Sequence, residues 1–173
     1  MSIDPVIVLI VRFGVAWLFL ASALHKLRDF GDFRAVLASY GMLPERAVDA
    51  AAPIIVAVET ATAVGALAQY RPAYAGAAVV LFTYAAVMTV NLLRGRRFID
   101  CGCGGAAQPL SVGLVIRNVV LSLGALIALL PTLARPLGWI DIVSVVIGSA
   151  VLGTLYAATN QLLAARARLE EWV

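Results

Sequence analysis

The chain has 173 residues, of which 62% are apolar and 13% are charged, and its formal net charge is +3. An ordinary soluble domain has about 45–50% apolar and about 25% charged residues, so this composition argues against one. It also argues against a disordered chain, and two cysteines are too few for a disulfide-stapled secreted module. The placement of the basic residues indicates membrane topology rather than nucleic-acid binding.

Five apolar windows are long enough to cross a lipid bilayer, which requires about 20 mostly apolar residues. They are residues 5–24, 48–67, 73–93, 110–130 and 139–163. Because a backbone in lipid must satisfy its own hydrogen bonds, each window predicts a helix. We therefore expect an all-α, multi-pass membrane bundle that forms a single domain over residues 1–173. The first four spans are expected to form its core, and the fifth to be more peripheral.

Two of the predicted connections are long, residues 25–47 and residues 94–109. The first has apolar side chains at helical spacing with charged side chains between them, which is typical of a short helix lying in the membrane interface. The apolar positions are Leu27, Phe30, Phe33, Leu37 and Tyr40. The second connection holds both cysteines and is called the cysteine loop below.

Five spans place both long loops and the C-terminal tail on the same side of the membrane. That side has nine lysine and arginine residues and the opposite side has two. The nine are Lys26, Arg28, Arg34, Arg46, Arg94, Arg96, Arg97, Arg166 and Arg168, and the two are Arg71 and Arg135. The positive-inside rule predicts that the side with nine is cytoplasmic and that the N-terminus lies outside.

Two charges lie at matching depth within the first two windows. Arg12 and Glu59 are each about 12 Å from the outer end of their window, given the helical rise per residue. A charge in lipid costs about 2.5–3.5 kcal/mol on insertion scales, so each of them needs a partner. The sequence predicts an Arg12–Glu59 ion pair between adjacent helices. Such a pair either fixes helix packing or lines a polar cavity or proton path, and both roles stay open.

Arg117 is a third intramembrane charge, about 10 Å in from the cysteine-loop end of the fourth window. Asn118 follows it, and Asn91 lies near the same end of the third window. Three roles are open for Arg117. It could bind a lipid headgroup, cap the cysteine loop or stabilise a thiolate, and simple packing is the alternative to all three.

The segment Asp100-Cys101-Gly102-Cys103-Gly104-Gly105 contains both cysteines, two residues apart. Its glycines allow a tight turn. A disulfide in so small a ring would be strained, and strained accessible disulfides are the labile, oxidising kind. The helix that follows Ser111 would place its N-terminus near the thiols, which favours a reactive thiolate.

Three interpretations of the cysteine loop remain open. The two thiols could be a redox pair that exchanges disulfides with a partner. They could form a soft-metal site for Cu(I) or Zn, with His25 as the one available nitrogen ligand. They could also be incidental cysteines in a glycine turn. His25 itself is either an ordinary interfacial residue or a ligand or proton carrier.

Several segments together resemble the methylamine utilisation protein MauE family, which is similar to the DoxX-like membrane proteins. The resemblance covers most of the chain, and the cysteine segment is its most specific part. The segments are Arg12-Phe13-Gly14, Leu24-His25-Lys26-Leu27, Phe33, Tyr40, Leu43-Pro44, Pro53, Glu59 with Gly65, Asn91 to Arg96, Asp100 to Gly105, Leu110-Ser111 and Arg117-Asn118. The helical segments are generic in composition.

The resemblance implies a multi-pass protein of the bacterial inner membrane. Members of this family are implicated in the maturation of methylamine dehydrogenase, whose small subunit is rich in disulfides. The implied partners are a thioredoxin-like redox protein and a disulfide-rich client protein. By fold-level analogy with DsbB and vitamin K epoxide reductase, a quinone could accept the electrons, although the residues themselves require no cofactor.

The expected function is thiol–disulfide exchange, with Cys101 and Cys103 as the catalytic residues. The supporting residues are His25, Asn91, Asp100 and Arg117. The alternatives are a non-catalytic scaffold or accessory subunit of a redox or respiratory complex, and a soft-metal-binding membrane protein. One conflict remains, because the charge bias places the cysteines in the cytoplasm, whereas disulfides persist outside it. A loop that dips into the bundle, transport of reducing equivalents across the membrane, or a different topology would resolve it.

Overall fold

The computed structural model describes residues 3–102 and 108–170, with side chains as far as residue 166. Cys103 lies outside the described residues. The described part is all-α and has six helices. They are α1 Pro5–Arg28, α2 Phe30–Ser39, α3 Glu45–Leu67, α4 Arg71–Leu93, α5 Val112–Ile127 and α6 Trp139–Glu170. By length and composition, α1, α3, α4 and α6 can each cross a membrane, and α5 is a shorter apolar helix.

Four of the five expected spans are therefore confirmed as helices of sufficient length, and the fourth window gives a shorter helix. α5 has 16 residues, or about 24 Å, against about 30 Å of hydrocarbon in a bilayer. Its first turn is capped by Ser111, whose Oγ accepts a hydrogen bond from the backbone N–H of Leu114. The helix ends before Pro131. The window was overestimated because its apolar cap and turn residues are indistinguishable from helix by hydropathy.

The helix expected in the first long loop is α2. Capping residues explain where the long helices begin. Asp4 caps α1 by accepting a hydrogen bond from the Val6 N–H at 2.9 Å, and Pro5 occupies the first turn, where no backbone donor is needed. A tight turn separates α3 from α4, and Gln69 adopts a φ of 57° in it.

The buried core lies between α1, α3, α4 and α5. Phe19 of α1, Ala63 of α3, Tyr74 of α4 and Ala125 of α5 belong to one cluster of buried side chains. α6 packs mainly on α1, and only 6% of its apolar window is buried. This arrangement agrees with the expected four-helix core and peripheral last helix.

The two long loops meet at one end of the bundle. The hydroxyl of Tyr40, which follows α2, donates a hydrogen bond to the carbonyl of Cys101 at 3.1 Å. The Arg96 guanidinium donates to the carbonyl of Tyr40 at 3.2 Å. The first loop and the cysteine loop are therefore one connected layer.

At the opposite end of the bundle, charged side chains join the N-terminal ends of α1 and α6. Arg135 binds Asp4 at 3.1 Å and Asp141 at 2.8 Å. The hydrogen bond to Asp141, with that to Asp4, raises the pKa of Arg135 above its usual value. Arg135 therefore keeps its charge and holds the start of α6 against the start of α1.

The close approach of α3 and α4 near their turn gives a stability prediction. A Cβ atom on Gly65 would lie 2.8 Å from the Cβ of Ala73, and neither atom can rotate away. The backbones must then separate, and overpacking of this kind costs about 1–3 kcal/mol. We expect Gly65→Ala to lower the unfolding temperature of the detergent-purified protein. That temperature is measured by size-exclusion chromatography of samples heated to increasing temperatures.

Gly76→Ala is the matched control in the same helix pair. Its Cβ would meet Thr62 Oγ1 at 4.0 Å, an ordinary contact, so its unfolding temperature should stay at or above that of the parent protein. Equal unfolding temperatures for the two variants would contradict the close approach of α3 and α4.

Candidate functional site

A buried ion pair lies between α1 and α3. The Lys26 Nζ is 2.7 Å from Glu59 Oε1 and 2.9 Å from Oε2, and the two side chains are 3% and 1% exposed. The Lys26 ammonium also donates to Ser22 Oγ at 2.7 Å, and the Ser22 hydroxyl donates to the carboxylate at 3.2 Å. The Tyr84 hydroxyl of α4 donates to Glu59 Oε1 at 2.6 Å. Side chains of two helices, α1 and α4, thus satisfy one carboxylate of α3.

The local sequence of α1 explains this geometry. Ser22 and Lys26 are four residues apart and so share one face of the helix, which they turn toward α3. The Lys26 ammonium also lies 5.2 Å from the centre of the Phe33 ring and 5.5 Å from that of Tyr84. A cation over aromatic rings is attracted to their π-electrons. Phe33, which belongs to α2, therefore contacts the pair from the loop end of the bundle.

The predicted Arg12–Glu59 ion pair is wrong. Arg12 donates instead to the carbonyl of Ala128 at 3.0 and 3.2 Å and to Gln69 Oε1 at 3.3 Å, and it stacks over the Tyr74 ring at 5.3 Å. The prediction assumed that the first two spans align end to end. In the structure Glu59 contacts Ser22 and Lys26, which lie roughly three to four helical turns beyond Arg12, toward the loop end of α1.

A polar cavity of about 230 Å³ adjoins the ion pair. Its polar lining residues come from five helices: Ser22, His25, Glu59, Tyr84, Arg117, Asn118, Tyr156 and Asn160. Arg117 donates to Asn160 Oδ1 at 2.6 Å, and its guanidinium lies 5.7 Å from the centre of the Tyr156 ring. The cavity therefore brings together three of the residues singled out in the sequence, namely His25, Glu59 and Arg117.

The cysteine loop closes on itself around Cys101, which is half-buried. The Cys101 N–H donates to the Gln108 carbonyl at 2.9 Å, and the Leu110 N–H donates to the Ile99 carbonyl at 3.0 Å. Asp100 Oδ1 accepts from the Gly102 N–H at 3.1 Å, and Gly102 has a φ of 66°, as a tight glycine turn requires. These bonds fix the main chain on both sides of the Cys101 thiol.

Asn160 of α6 connects the cysteine loop to the polar cavity. Its backbone carbonyl accepts a hydrogen bond from Gln108 Nε2 at 2.7 Å, and its side-chain oxygen accepts from Arg117. Arg117 thus reaches the loop through Asn160. Asn91 has a more local role, because its side-chain amide donates to the Val87 carbonyl and its own carbonyl accepts from the Arg96 N–H.

Sequence reasoning missed Lys26, Tyr84 and Asn160 as members of the site. Lys26 was counted as a topology-setting loop charge and as part of the family resemblance, but not as a site residue. Its spacing from Ser22 was the available signal, since two polar side chains four residues apart form one polar helix face. In the sequence, Tyr84 and Asn160 are isolated polar residues within apolar helices, with no pattern that links them to a site. Among the residues that the structure describes, no group of three or more His, Cys, Asp or Glu side chains is placed to hold a metal ion.

The long apolar helices and the polar cluster enclosed by them define an all-α, multi-pass membrane protein with a buried polar site. The family model described as methylamine utilisation protein MauE matches residues 4–131, and the chain belongs to this family. The matched residues include α1 to α5 and end before α6.

Individual relatives support the same assignment. The chain is 41% identical to MauE of Paracoccus denitrificans over 128 residues, which cover 72% of this chain and 69% of that protein. It is 37% identical to MauE of Paracoccus versutus over 165 residues, 92% of this chain and 88% of that one. MauE of Methylorubrum extorquens is 34% identical over 128 residues, 70% of this chain and 68% of the relative. No solved structure matches the chain significantly.

The ion pair gives a prediction about stability. Lys26→Met leaves the Glu59 carboxylate buried without its counter-charge, a change that costs about 3–5 kcal/mol when a buried pair is broken. We expect a large loss of correctly folded protein, measured as the monodisperse fraction in detergent and as the unfolding temperature. The double variant Lys26→Met/Glu59→Leu removes both charges and should recover most of that loss.

Arg34→Met is the matched control. Arg34 pairs with Asp49 on the surface, where the two side chains are 56% and 57% exposed. An exposed pair contributes about 0.2–1 kcal/mol, so this variant should resemble the parent protein. If Lys26→Met were no more harmful than Arg34→Met, or if the double variant were as unstable as Lys26→Met, the pair would not stabilise the bundle.

Proposed function

We propose that this MauE-family protein is a membrane thiol–disulfide oxidoreductase that acts through Cys101 and Cys103 in methylamine utilisation. The observation that carries the proposal is the way in which the Cys101 main chain is held. Tyr40 and Gln108 bind its carbonyl and its N–H, and Asp100 binds the N–H of the following residue, so the thiol is presented from a half-buried main chain held on both sides. Ordered presentation favours attack at one sulfur along a defined direction.

The reaction is a two-step exchange. A thiolate of the client attacks the Cys101–Cys103 disulfide, which breaks that S–S bond and forms a mixed disulfide. A second client thiolate then attacks the mixed disulfide, so that the client leaves oxidised and the two cysteines remain as thiols. The client loses two electrons and two protons, and the cysteine pair gains them.

The partners that we propose are a thioredoxin-like redox protein and a disulfide-rich client, the latter being methylamine dehydrogenase in the family resemblance. The names of the relatives support methylamine utilisation as the setting. The arginine residues of the cysteine loop, Arg94, Arg96 and Arg97, give its surroundings a positive potential, which favours the thiolate form and an acidic partner surface.

A scaffold role is the second candidate, and the packing of α6 favours it. Only 6% of the apolar window of α6 is buried within the chain, which leaves a long helix face available to another membrane subunit. In that role the cysteines would be dispensable, and loss of α6 contacts would abolish function. The cysteine variants below distinguish the two candidates.

Replacement of either cysteine tests the proposed exchange directly. We expect Cys101→Ser and Cys103→Ser each to abolish oxidation of the client, because one remaining thiol cannot return to a disulfide. In acid-quenched cells, alkylation before and after reduction, read by mass, should show an oxidised population of the parent pair. One of the single variants should accumulate a mixed disulfide with its partner.

Thr154→Ser on the exposed face of α6 is the control and should behave as the parent chain does. Full client oxidation by both single variants would refute the exchange mechanism. In that case, loss of function after substitution of the exposed side chains of α6 would establish the scaffold role.

The side of the membrane that the loop faces is tested by labelling. We propose that the loop end is cytoplasmic, as the basic residues indicate. In the Cys101→Ser/Cys103→Ser background, Phe98→Cys marks the loop end and Leu133→Cys marks the opposite end, at residues that are 87% and 48% exposed. A membrane-impermeant maleimide should label only Leu133→Cys in intact cells, and both variants after permeabilisation.

The reverse labelling pattern would contradict the proposed topology. It would place the loop outside, in direct reach of an exported client. The expected pattern instead means that the direct exchange takes place at the cytoplasmic face, so that the client must meet the cysteine loop there.

A further inference from the structure

A second cavity lies between α1, α5 and α6. Its volume is about 680 Å³, which falls within the roughly 300–1,000 Å³ typical of small-molecule sites. Its lining is almost wholly apolar and includes Phe13, Trp17, Val120, Gly124, Val146 and Gly153. It exists because α6 packs on α1 and has little contact with α5. The space is therefore an apolar groove at the edge of the bundle.

The groove adjoins the polar cavity beside the ion pair. Leu18, Leu121 and Tyr156 line both spaces. Together they form one amphipathic site, with charged and hydroxyl groups at one end and aliphatic side chains at the other. A ligand that fits has a small polar head and a single apolar chain. Such a ligand reaches the site from the lipid phase.

The polar end defines the chemistry of the head group. Lys26 and Glu59 neutralise one another, and Arg117 supplies a further positive charge, which favours oxygen atoms that accept hydrogen bonds. A neutral head group meets this need, because Glu59 on the same wall is already paired with Lys26. The rings of Phe19, Tyr84 and Tyr156 also line the cavity, and aromatic rings pack well against a flat ring. A planar ring that carries carbonyl oxygens satisfies all three conditions.

We propose that the joined cavities bind a lipid quinone, with its ring beside Arg117 and its isoprenoid chain in the groove. The inference deepens the proposed function and rests on it for the redox step. When Cys101 and Cys103 form a disulfide, two S–H bonds break and one S–S bond forms. The two electrons and two protons released convert the quinone carbonyls to the hydroxyls of a quinol. Asn160, which contacts both Arg117 and Gln108, connects the ring site to the cysteine loop.

Binding is tested without reference to turnover. Trp17 lines the groove, and quinones quench tryptophan fluorescence. The full chain with Trp139→Phe and Trp172→Phe leaves Trp17 as its only tryptophan. In nanodiscs, decylubiquinone should quench Trp17 in a saturable manner. The Cys101→Ser/Cys103→Ser variant should bind equally well, because binding does not depend on the thiols.

Larger side chains in the groove should prevent the isoprenoid chain of the quinone from binding there. Gly124 and Gly153 line the groove, and added Cβ atoms at both meet nothing within 4 Å, so we expect the side chains of Gly124→Leu/Gly153→Leu to extend into the groove. We expect it to weaken decylubiquinone binding at least about tenfold, which corresponds to about 1.4 kcal/mol. Gly31→Leu is the matched control, since its position in α2 is equally open and lines neither cavity.

The outcomes separate this inference from the proposed function. Absence of saturable quenching, or equal quenching in the groove-filled variant and the Gly31→Leu control, overturns the quinone site even when thiol exchange persists. Displacement of decylubiquinone by an equal concentration of palmitate overturns the choice of a quinone over a carboxylate head. Specific binding together with client oxidation that survives both cysteine substitutions supports the site and refutes the thiol mechanism.

Discussion

The Lys26–Glu59 pair is the constraint on which the arrangement of the helices depends. A lone charge in so apolar a bundle has a desolvation cost that only a close counter-charge and further hydrogen bonds can offset. The pair therefore requires one relative position of α1 and α3, and Tyr84 extends that requirement to α4. Apolar contacts alone allow two neighbouring helices to pack at many positions along their axes. The buried pair selects one of them.

The same interaction determines where polar chemistry is possible. Glu59 is bound by Lys26, Ser22 and Tyr84, and Arg117 brings its guanidinium to the same cavity. Arg117 is in turn bound to α6 through Asn160, whose carbonyl holds the cysteine loop. A change in helix register at the ion pair would therefore move the cavity wall and the loop together. Structural and proposed chemical roles are thus carried by one connected set of side chains.

Hydropathy predicted the helices well and the site only in part. Four windows became helices long enough to cross a membrane, because long apolar runs have no other stable backbone in lipid, and α5 was shortened by the cap at Ser111. Depth matching failed for Arg12 and Glu59 because it measured each residue from the end of its own window. Relative helix register depends on side-chain contacts such as that of Arg12 with Gln69, which hydropathy does not record. The role of Lys26 was hidden by its position next to the predicted loop.

α6 shows how weak packing can serve a membrane site. Only 6% of its apolar window is buried, and yet it supplies Tyr156 and Asn160 to the polar cavity. A helix packed closely against α5 would close the apolar groove and isolate the cavity from the lipid phase. A helix absent altogether would leave Arg117 without Asn160 and the cysteine loop without its contact to α6. The loose position of α6 on α1 meets both demands, since it holds the loop at one end and leaves the groove open along its length.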